Sequence, residues 1–371
     1  MRTAVFVTTE DRFFLSHRAV IGRALQARGY TVHVAASETG AADELRAQQF
    51  VFHALPLVRA SVSPITEAKT LAALTALYAR LSPDLVHHST IKANVYGSLA
   101  ARALRVPAVV NTVTGLGHAL MSKPGEGCSS KLRRTVAQQL YAHALTGVTV
   151  FQNTEQMRLF IESGWVSAAR ARLVRGAGVD LQRFSPALKP VRPLIVLPAR
   201  MLWDKGVGEF VEAARVLKGR ARFALVGGLD PENRASVPAK TLQGWVDEGI
   251  VEWWGHRRDM PDVLRSATFA VLPSYAEGMP LALAEAQACG LPCVTTDAPG
   301  CREAIVPGVS GELVPVRDAK ALARAIRLLL DSPSRVQEMG RAARAFAEAH
   351  FGVDAVVAQT LDAFALAGAA L

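Results

Sequence analysis

Short apolar runs alternate along the chain with longer segments whose apolar residues recur at spacings of three and four. Thr3 to Thr8 reads as a strand, Leu15 to Ala27 as a helix and Tyr30 to Ala36 as a second strand. The same rhythm continues through a strand from Asp84 to His88, a helix from Lys92 to Leu104, a strand from Ala108 to Val113, a helix from Ser129 to Leu145 and a strand from Gly147 to Gln152. Such alternation predicts an α/β fold, a parallel sheet wound with helices. It breaks at Ser185-Pro186-Ala187-Leu188-Lys189-Pro190-Val191-Arg192-Pro193, a proline-rich stretch that suits an interdomain linker. A second series then runs through Leu194 to Ala199, Phe223 to Gly227, Val251 to Trp254, Phe269 to Pro273 and Pro292 to Thr296, and closes with helices from Asp318 onward. Two Rossmann-like domains with parallel sheets facing a central cleft are therefore expected, over 1–184 and 185–352, with a last helix in 353–371 that packs back on the first.

A chain of 371 residues, half of them hydrophobic, has enough apolar surface for two cores. No run of about 18 apolar residues lacks a charge, so no membrane-spanning helix is expected. Met1 to Val7 enters a strand and meets Glu10 and Asp11 without a small-residue cleavage site, which predicts a cytoplasmic protein. Cys128, Cys289, Cys293 and Cys301 lack partners for a metal knuckle and are too few for a disulfide framework, so reduced, structural thiols are expected.

The net charge of +10 lies entirely in the first half. Up to Phe184 there are 21 Lys and Arg against 11 Asp and Glu, and from Ser185 there are 21 against 21. An anionic membrane surface beside the first half accounts for that imbalance, as does a merely arginine-rich composition. An aromatic content of 6% and the lack of a reader motif argue against a nucleic-acid partner. Thr8-Thr9-Glu10-Asp11-Arg12 after the first strand is no Gly-x-Gly-x-x-Gly, which argues against a dinucleotide oxidoreductase.

Open parallel sheets bind ligands at the carboxyl ends of their strands, so the loops there carry the candidate chemistry. After Leu194 to Ala199 comes Arg200-Met201-Leu202-Trp203-Asp204-Lys205-Gly206, which offers a diphosphate one planar fork and one compact cation. After Phe269 to Pro273 come Ser274 and Tyr275-Ala276-Glu277-Gly278-Met279-Pro280, then a helix from Leu281, with Pro280 suited to its first position. Free amides at that helix mouth attract phosphate. Glu277 lies just before the mouth and Glu285 inside the helix, and a carboxylate beside a sugar accepts two hydroxyl hydrogen bonds. Each feature alone also reads as an ordinary loop charge or helix-start acid.

Glu277 and Glu285, preceded by Pro273-Ser274 and followed by Cys289-Gly290-Leu291-Pro292-Cys293-Val294, resemble the signature of retaining glycosyltransferase family 4. The likeness extends through Gly176-Ala177-Gly178-Val179-Asp180, Arg183-Phe184, Arg200, Lys205, Leu225-Val226-Gly227-Gly228 and Gly255-His256-Arg257-Arg258-Asp259-Met260. The resemblance implies a glycosyltransferase B-type (GT-B) fold in which Arg200 and Lys205 bind the diphosphate, Glu277 the transferred sugar and Glu285 the ribose. The loop at Arg257 would lie against the base, with Gly278, Met279, Pro280 and Leu281 around the phosphates. It also implies no metal and no cofactor beyond the nucleotide-sugar co-substrate.

First-half segments resemble the branch of that family that builds bacterial surface polysaccharides on a polyprenyl diphosphate. These are Phe13-Phe14-Leu15-Ser16-His17-Arg18, His87-His88-Ser89-Thr90-Ile91-Lys92, Asn111-Thr112-Val113-Thr114-Gly115-Leu116-Gly117 and Phe151-Gln152-Asn153. Many family members carry a histidine where this chain has Thr114, and His118 is a candidate substitute. Gly115 and Gly117 are expected to let backbone approach the donor, and Lys92, Thr114 and His118 to meet the acceptor. His87 and His88 are adjacent and so point to opposite sides of a strand, so at most one of them faces the cleft. A loop over 122–130 and the helix after it, with Lys131, Arg133 and Arg134 beside Leu132, Val136 and Leu140, suit an anionic headgroup layer.

The expected activity is retaining transfer of a hexose or N-acetylhexosamine from a nucleotide diphosphate sugar, taken as UDP-linked, to a polyprenyl-diphosphate-linked glycan. The protein would work at the inner face of the cytoplasmic membrane. A nucleotide-sugar epimerase or hydrolase of the same fold is the alternative.

Overall fold

The computed structural model describes residues 2–58, 61, 63–115, 135, 138–139, 141–188, 190–231 and 233–371. The chain divides into two compact units, Met1–Gly178 with Asp354–Leu371, and Val179–Val353.

The first unit is built on seven strands: β1 Arg2–Glu10, β2 Tyr30–Ser37, β3 Val51–Ala54, β4 Leu85–Ser89, β5 Ala108–Val113, β6 Val148–Phe151 and β7 Ala171–Leu173. They lie in the order β3-β2-β1-β4-β5-β6-β7, and every pair is parallel. The second unit carries β8 Leu194–Pro198, β9 Arg222–Val226, β10 Glu252–Trp253, β11 Phe269–Leu272, β12 Cys293–Thr296 and β13 Gly311–Val314. Their order is β10-β9-β8-β11-β12-β13, again all parallel. Strands such as β5 and β8 are buried along their whole length, as expected of parallel strands with helices on both faces. In each sheet the winding reverses beside the first strand, between β1 and β4 and between β8 and β11. Those are the topological switch points at which open α/β sheets bind ligands.

The helix expected from Leu15 to Ala27 is two helices, Asp11–His17 and Ala19–Gln26. Arg18 between them has φ −131° and ψ −14°, and its side chain is turned inward to 2% exposure. The helix Val353–Leu366 contributes Val356, Leu361, Ala363 and Phe364 to the core of the first unit, alongside Phe6 and Phe14. The rings of Phe14, His87 and Phe364 all meet Phe6 edge-on, at centroid separations of 5.3, 5.1 and 6.5 Å.

The break between units falls at Gly178, ahead of the expected boundary at 184. The reason is main-chain bonding: Val179 N–H donates to Phe351 O (2.7 Å) and Val353 N–H to Val179 O (3.1 Å). Arg344 further ties this stretch to the second unit by donating to the carbonyls of Leu181, Phe184 and Ala288. The proline-rich stretch after 184 thus lies within the second unit. Strands β3, β7 and β13 were not anticipated; each has three or four residues and contains a polar or charged side chain.

Cys289, Cys293 and Cys301 are buried thiols, and Cys128 lies outside the described residues. Among the described residues no helix is long and apolar enough to cross a membrane.

His87 and His88 both lie inside the core, so neither presents itself to ligand. His88 bonds Tyr78 Oη and Asn111 Oδ1, each at 2.8 Å, and His87 bonds Thr112 Oγ1 at 2.7 Å. On the β2–β3 side, His33 and His53 share a 2.8 Å hydrogen bond between stacked rings. Burial holds all four below the usual histidine range, with His53 and His88 lowered to about 4; Arg80 adds to the effect at His33, and His33 and Arg80 at His53. Below about pH 6.5 the unfolded chain therefore takes up protons that the folded chain refuses. Stability should be full above that pH and fall continuously as pH drops toward 4. Thermal melts at constant ionic strength from pH 7 to 5 should show a steadily falling Tm, and a flat profile would contradict this account.

Candidate active site

The second unit assembles its site from loops that leave the carboxyl ends of β8, β11 and β12. The first passes Arg200, makes a short 3-10 turn over Trp203–Lys205 and enters the helix Val207–Val216 through Gly206. Gly206 has φ +71°, and a Cβ there would lie 2.3 Å from Pro273 O, so only glycine lets this loop rest on the end of β11. The second loop is tied to the first by Tyr275 N–H donating to Asp204 O (2.9 Å). It is tied to the third by Glu277 N–H donating to Pro299 O (3.0 Å). Gly300, at φ +75°, closes the third loop, where a Cβ would sit 2.4 Å from Glu277 O and 2.5 Å from Gly278 O.

This lacing brings Lys205 and Glu277 together, with Nζ to Oε1 at 2.5 Å and side chains 20% and 14% exposed. Gly278, Met279 and Pro280 are buried and Leu281 is half-buried at the start of the helix Leu281–Ala288. Pro280 is the residue before the first turn (φ −72°, ψ 104°) rather than its first member, and no side chain caps the helix there. The mouth of the helix thus opens beside the ion pair, which is the arrangement that binds phosphate. Tyr275 Oη donates to Glu209 Oε1 at 2.7 Å, and the Arg317 guanidinium lies 4.6 Å from the Tyr275 ring centre.

Glu285 is half-buried one turn further along the helix. Burial pushes its carboxyl up to about 7, partly offset by the positive charge of Arg183. Arg200 is exposed and pairs with Asp230 on the loop after β9. That loop is itself anchored by Met201 N–H to Gly228 O (3.0 Å), Val237 N–H to Met201 O (2.9 Å) and Trp203 N–H to Ala235 O (2.8 Å). Arg257 is exposed and held bidentate by Asp259 of its own loop, at 2.8 and 2.5 Å. The structure therefore joins Lys205 to Glu277 directly and sets Glu285 on the adjoining helix. Arg200 and Arg257 are each held by another carboxylate.

In the first unit, Thr114 and Gly115 are half-buried just past β5. Lys92 is fully engaged: its ammonium donates to Val58 O, Ser61 O and Glu67 Oε1, each at 2.7 Å, and Tyr96 Oη donates to the other oxygen of Glu67. It clamps the segment after β3, and meeting an acceptor would require surrender of one of these bonds. Gly117, His118, the loop over 122–130 and the cations of the following helix lie outside the described residues. Sequence reasoning missed Asp230, Arg183 as the neighbour of Glu285, and the Glu209–Tyr275 bond. Two of these residues lay within or next to segments already singled out, but their pairing depends on which loops meet.

Residues 192–332 match the family of group 1 glycosyl transferases, and residues 4–152 match the glycosyl transferase 4-like family. The chain is 30% identical over 342 residues to the N,N'-diacetylbacillosaminyl-diphospho-undecaprenol alpha-1,3-N-acetylgalactosaminyltransferase of Campylobacter jejuni, covering 86% of this chain and 89% of that protein. It is 26% identical over 296 residues to the UDP-Gal:alpha-D-GlcNAc-diphosphoundecaprenol alpha-1,3-galactosyltransferase of Escherichia coli, covering 75% and 74%. Among solved structures, sucrose-phosphate synthase of Thermosynechococcus elongatus is similar in fold, with a TM-score of 0.79 at 22% identity over 98% of both chains. Two parallel α/β units, a cation and carboxylate at the mouth of an uncapped helix, and matches over both halves together place this chain among the group 1, family 4-like glycosyltransferases of GT-B fold.

Proposed function

We propose that the protein transfers a hexose or N-acetylhexosamine, with retention at the anomeric carbon, from a UDP-sugar to a polyprenyl-diphosphate-linked glycan. The observation that carries this reading is the Lys205–Glu277 pair beside the open mouth of Leu281–Ala288. The names of the Campylobacter and Escherichia relatives, both acting on undecaprenyl-diphosphate-linked sugars, support the acceptor, and the second supports UDP.

An incoming diphosphate takes Lys205 from Glu277 and Arg200 from Asp230, and the helix amides at Gly278 to Leu281 complete its neutralisation. Glu277, released from the lysine, accepts hydroxyl hydrogen bonds from the sugar, and Glu285 accepts those of the ribose. The loop at Arg257 borders the base, Thr114 serves the acceptor, and Gly115 lets backbone approach the donor. The bond from the anomeric carbon to the diphosphate oxygen breaks, and the acceptor hydroxyl oxygen bonds that carbon on the same face. Its proton passes to the departing diphosphate. The residues named supply the positive charge this step needs, so the reading calls for no metal ion. Work on a lipid-linked acceptor also implies peripheral contact with an anionic membrane, to which the excess positive charge before Phe184 contributes.

Incubation with a UDP-sugar and a lipid-diphosphate glycan should give one retained linkage by NMR, whereas free sugar or an isomer formed from donor alone would favour a hydrolase or epimerase. Lys205→Ala and Glu277→Ala should each lower kcat by about 10²-fold or more, and near-normal turnover in both would remove the assigned roles. Because the Glu285 carboxyl titrates at about 7 and its ionised form accepts the stronger hydrogen bonds, donor affinity should rise from pH 6 to 8. Glu285→Gln should flatten that profile in calorimetric titrations, and an unchanged slope would count against the ribose contact. Sedimentation with anionic vesicles should carry the protein down at low salt and release it at high salt; no binding at low salt would refute membrane contact.

A further inference from the structure

Arg18 is an anomaly that the donor site does not use. It interrupts what would be one helix, its side chain is 2% exposed, and it reaches the carboxyl end of β4, donating from Nε to Ser89 Oγ at 3.0 Å. Nη1 donates to His17 O at 2.9 Å, while Nη2 is buried with no hydrogen-bond partner among the described residues. The Phe13 ring lies 5.9 Å away. Burial lowers the guanidinium pKa to about 10, which leaves it a cation at neutral pH. Among the described residues no carboxylate pairs with it. Asp11, the buried acid on the neighbouring helix, is committed to the amides of Arg12, Thr39 and Ala41 and the hydroxyl of Thr39. Buried charges are ordinarily paired, because an uncompensated one loses its hydration and receives nothing in return.

A second observation points to the same place. Ser89 ends β4, Thr90 follows it and Thr9 lies near the end of β1, so they flank the switch point of the first sheet. Thr90 has φ +88° and ψ 158°, a region that β-branched residues almost never occupy. Its hydroxyl is hydrogen-bonded to that of half-buried Thr9 at 2.6 Å. A strained residue, a pair of bonded hydroxyls and a desolvated cation with an open donor thus lie at the strand ends that flank the switch point, where open sheets take ligands.

We propose that Arg18, with Ser89, forms a phosphate subsite at the switch point of the first sheet that receives the diphosphate of the lipid-linked acceptor, an assignment that rests on the acceptor reading above. The guanidinium supplies the charge and the Nη2 donors. Arg18 is 2% exposed, so an anion reaches it only when its neighbours part.

Calorimetric titration of the full chain with farnesyl diphosphate tests this without any turnover. Wild type should bind, Lys205→Ala should bind within about twofold of wild type, Arg18→Lys should be intermediate, and Arg18→Gln should bind about tenfold more weakly or worse. Farnesol, which lacks phosphate, should not distinguish wild type from Arg18→Gln. The ligand-free Tm of Arg18→Gln should equal or exceed that of wild type, since a buried uncompensated charge has been removed. Equal farnesyl diphosphate binding by wild type and Arg18→Gln, absence of binding by wild type, or loss in Lys205→Ala with retention in Arg18→Gln would each overturn the subsite. If Arg18→Gln fails to fold, Arg18→Lys decides: unweakened binding together with a lowered Tm makes the residue structural. Weakened diphosphate binding in Arg18→Gln without any glycosyl transfer by wild type would support the subsite while removing the lipid-acceptor reading.

Discussion

The salt bridge between Lys205 and Glu277 depends on the parallel pairing of β8 with β11. Parallel strands discharge their following loops at the same edge, so residues far apart in the chain arrive side by side. Four main-chain features then remove the remaining freedom: the Tyr275–Asp204 and Glu277–Pro299 hydrogen bonds, and the two glycines, Gly206 and Gly300, that let backbone touch backbone. Any of these loops alone would be a mobile surface turn. Laced together they hold a cation and an anion in contact, largely out of water and beside the start of a helix that no side chain caps.

Charge balance in the ligand-free protein follows a consistent pattern in the second unit. Lys205 is matched by Glu277, Arg200 by Asp230 and Arg257 by Asp259. A carboxylate can hold a cation ready for a diphosphate, because the diphosphate replaces it with hydrogen bonds of the same charge-assisted kind and carries more negative charge. Donor binding on this reading is an exchange of anions, and the displaced carboxylate of Glu277 becomes available to sugar hydroxyls. Arg18 in the first unit departs from the pattern, because it is the more deeply buried and has no carboxylate partner among the described residues.

Much of this architecture was legible in the residues. The alternation of apolar runs and helical spacing announced two parallel α/β sheets, because strands covered on both faces must be apolar along their whole length. Strands β1, β2, β5, β8, β9 and β11 each carry three or more consecutive apolar residues. Strands β3, β7 and β13 do not; Val51–Ala54, Ala171–Leu173 and Gly311–Val314 are strands because a neighbour offers them a ladder. The break at Arg18 was invisible for a related reason: the apolar spacing from Leu15 to Ala27 continues across it, and only the tertiary placement of Ser89 shows where the arginine turns.

The sequence by itself determined the fold class and singled out the loops and residue types of the candidate site, because hydrophobic periodicity and the order of cations, glycines and acids are properties of the chain. The tertiary structure decided which of those residues meet. It joined Lys205 to Glu277, gave Arg200 to Asp230, committed Lys92 to Val58, Ser61 and Glu67, buried both His87 and His88, and moved the division of the chain to Gly178. Partners of a charged side chain are set by which strands lie adjacent and how closely their loops approach, and neither is encoded in local spacing.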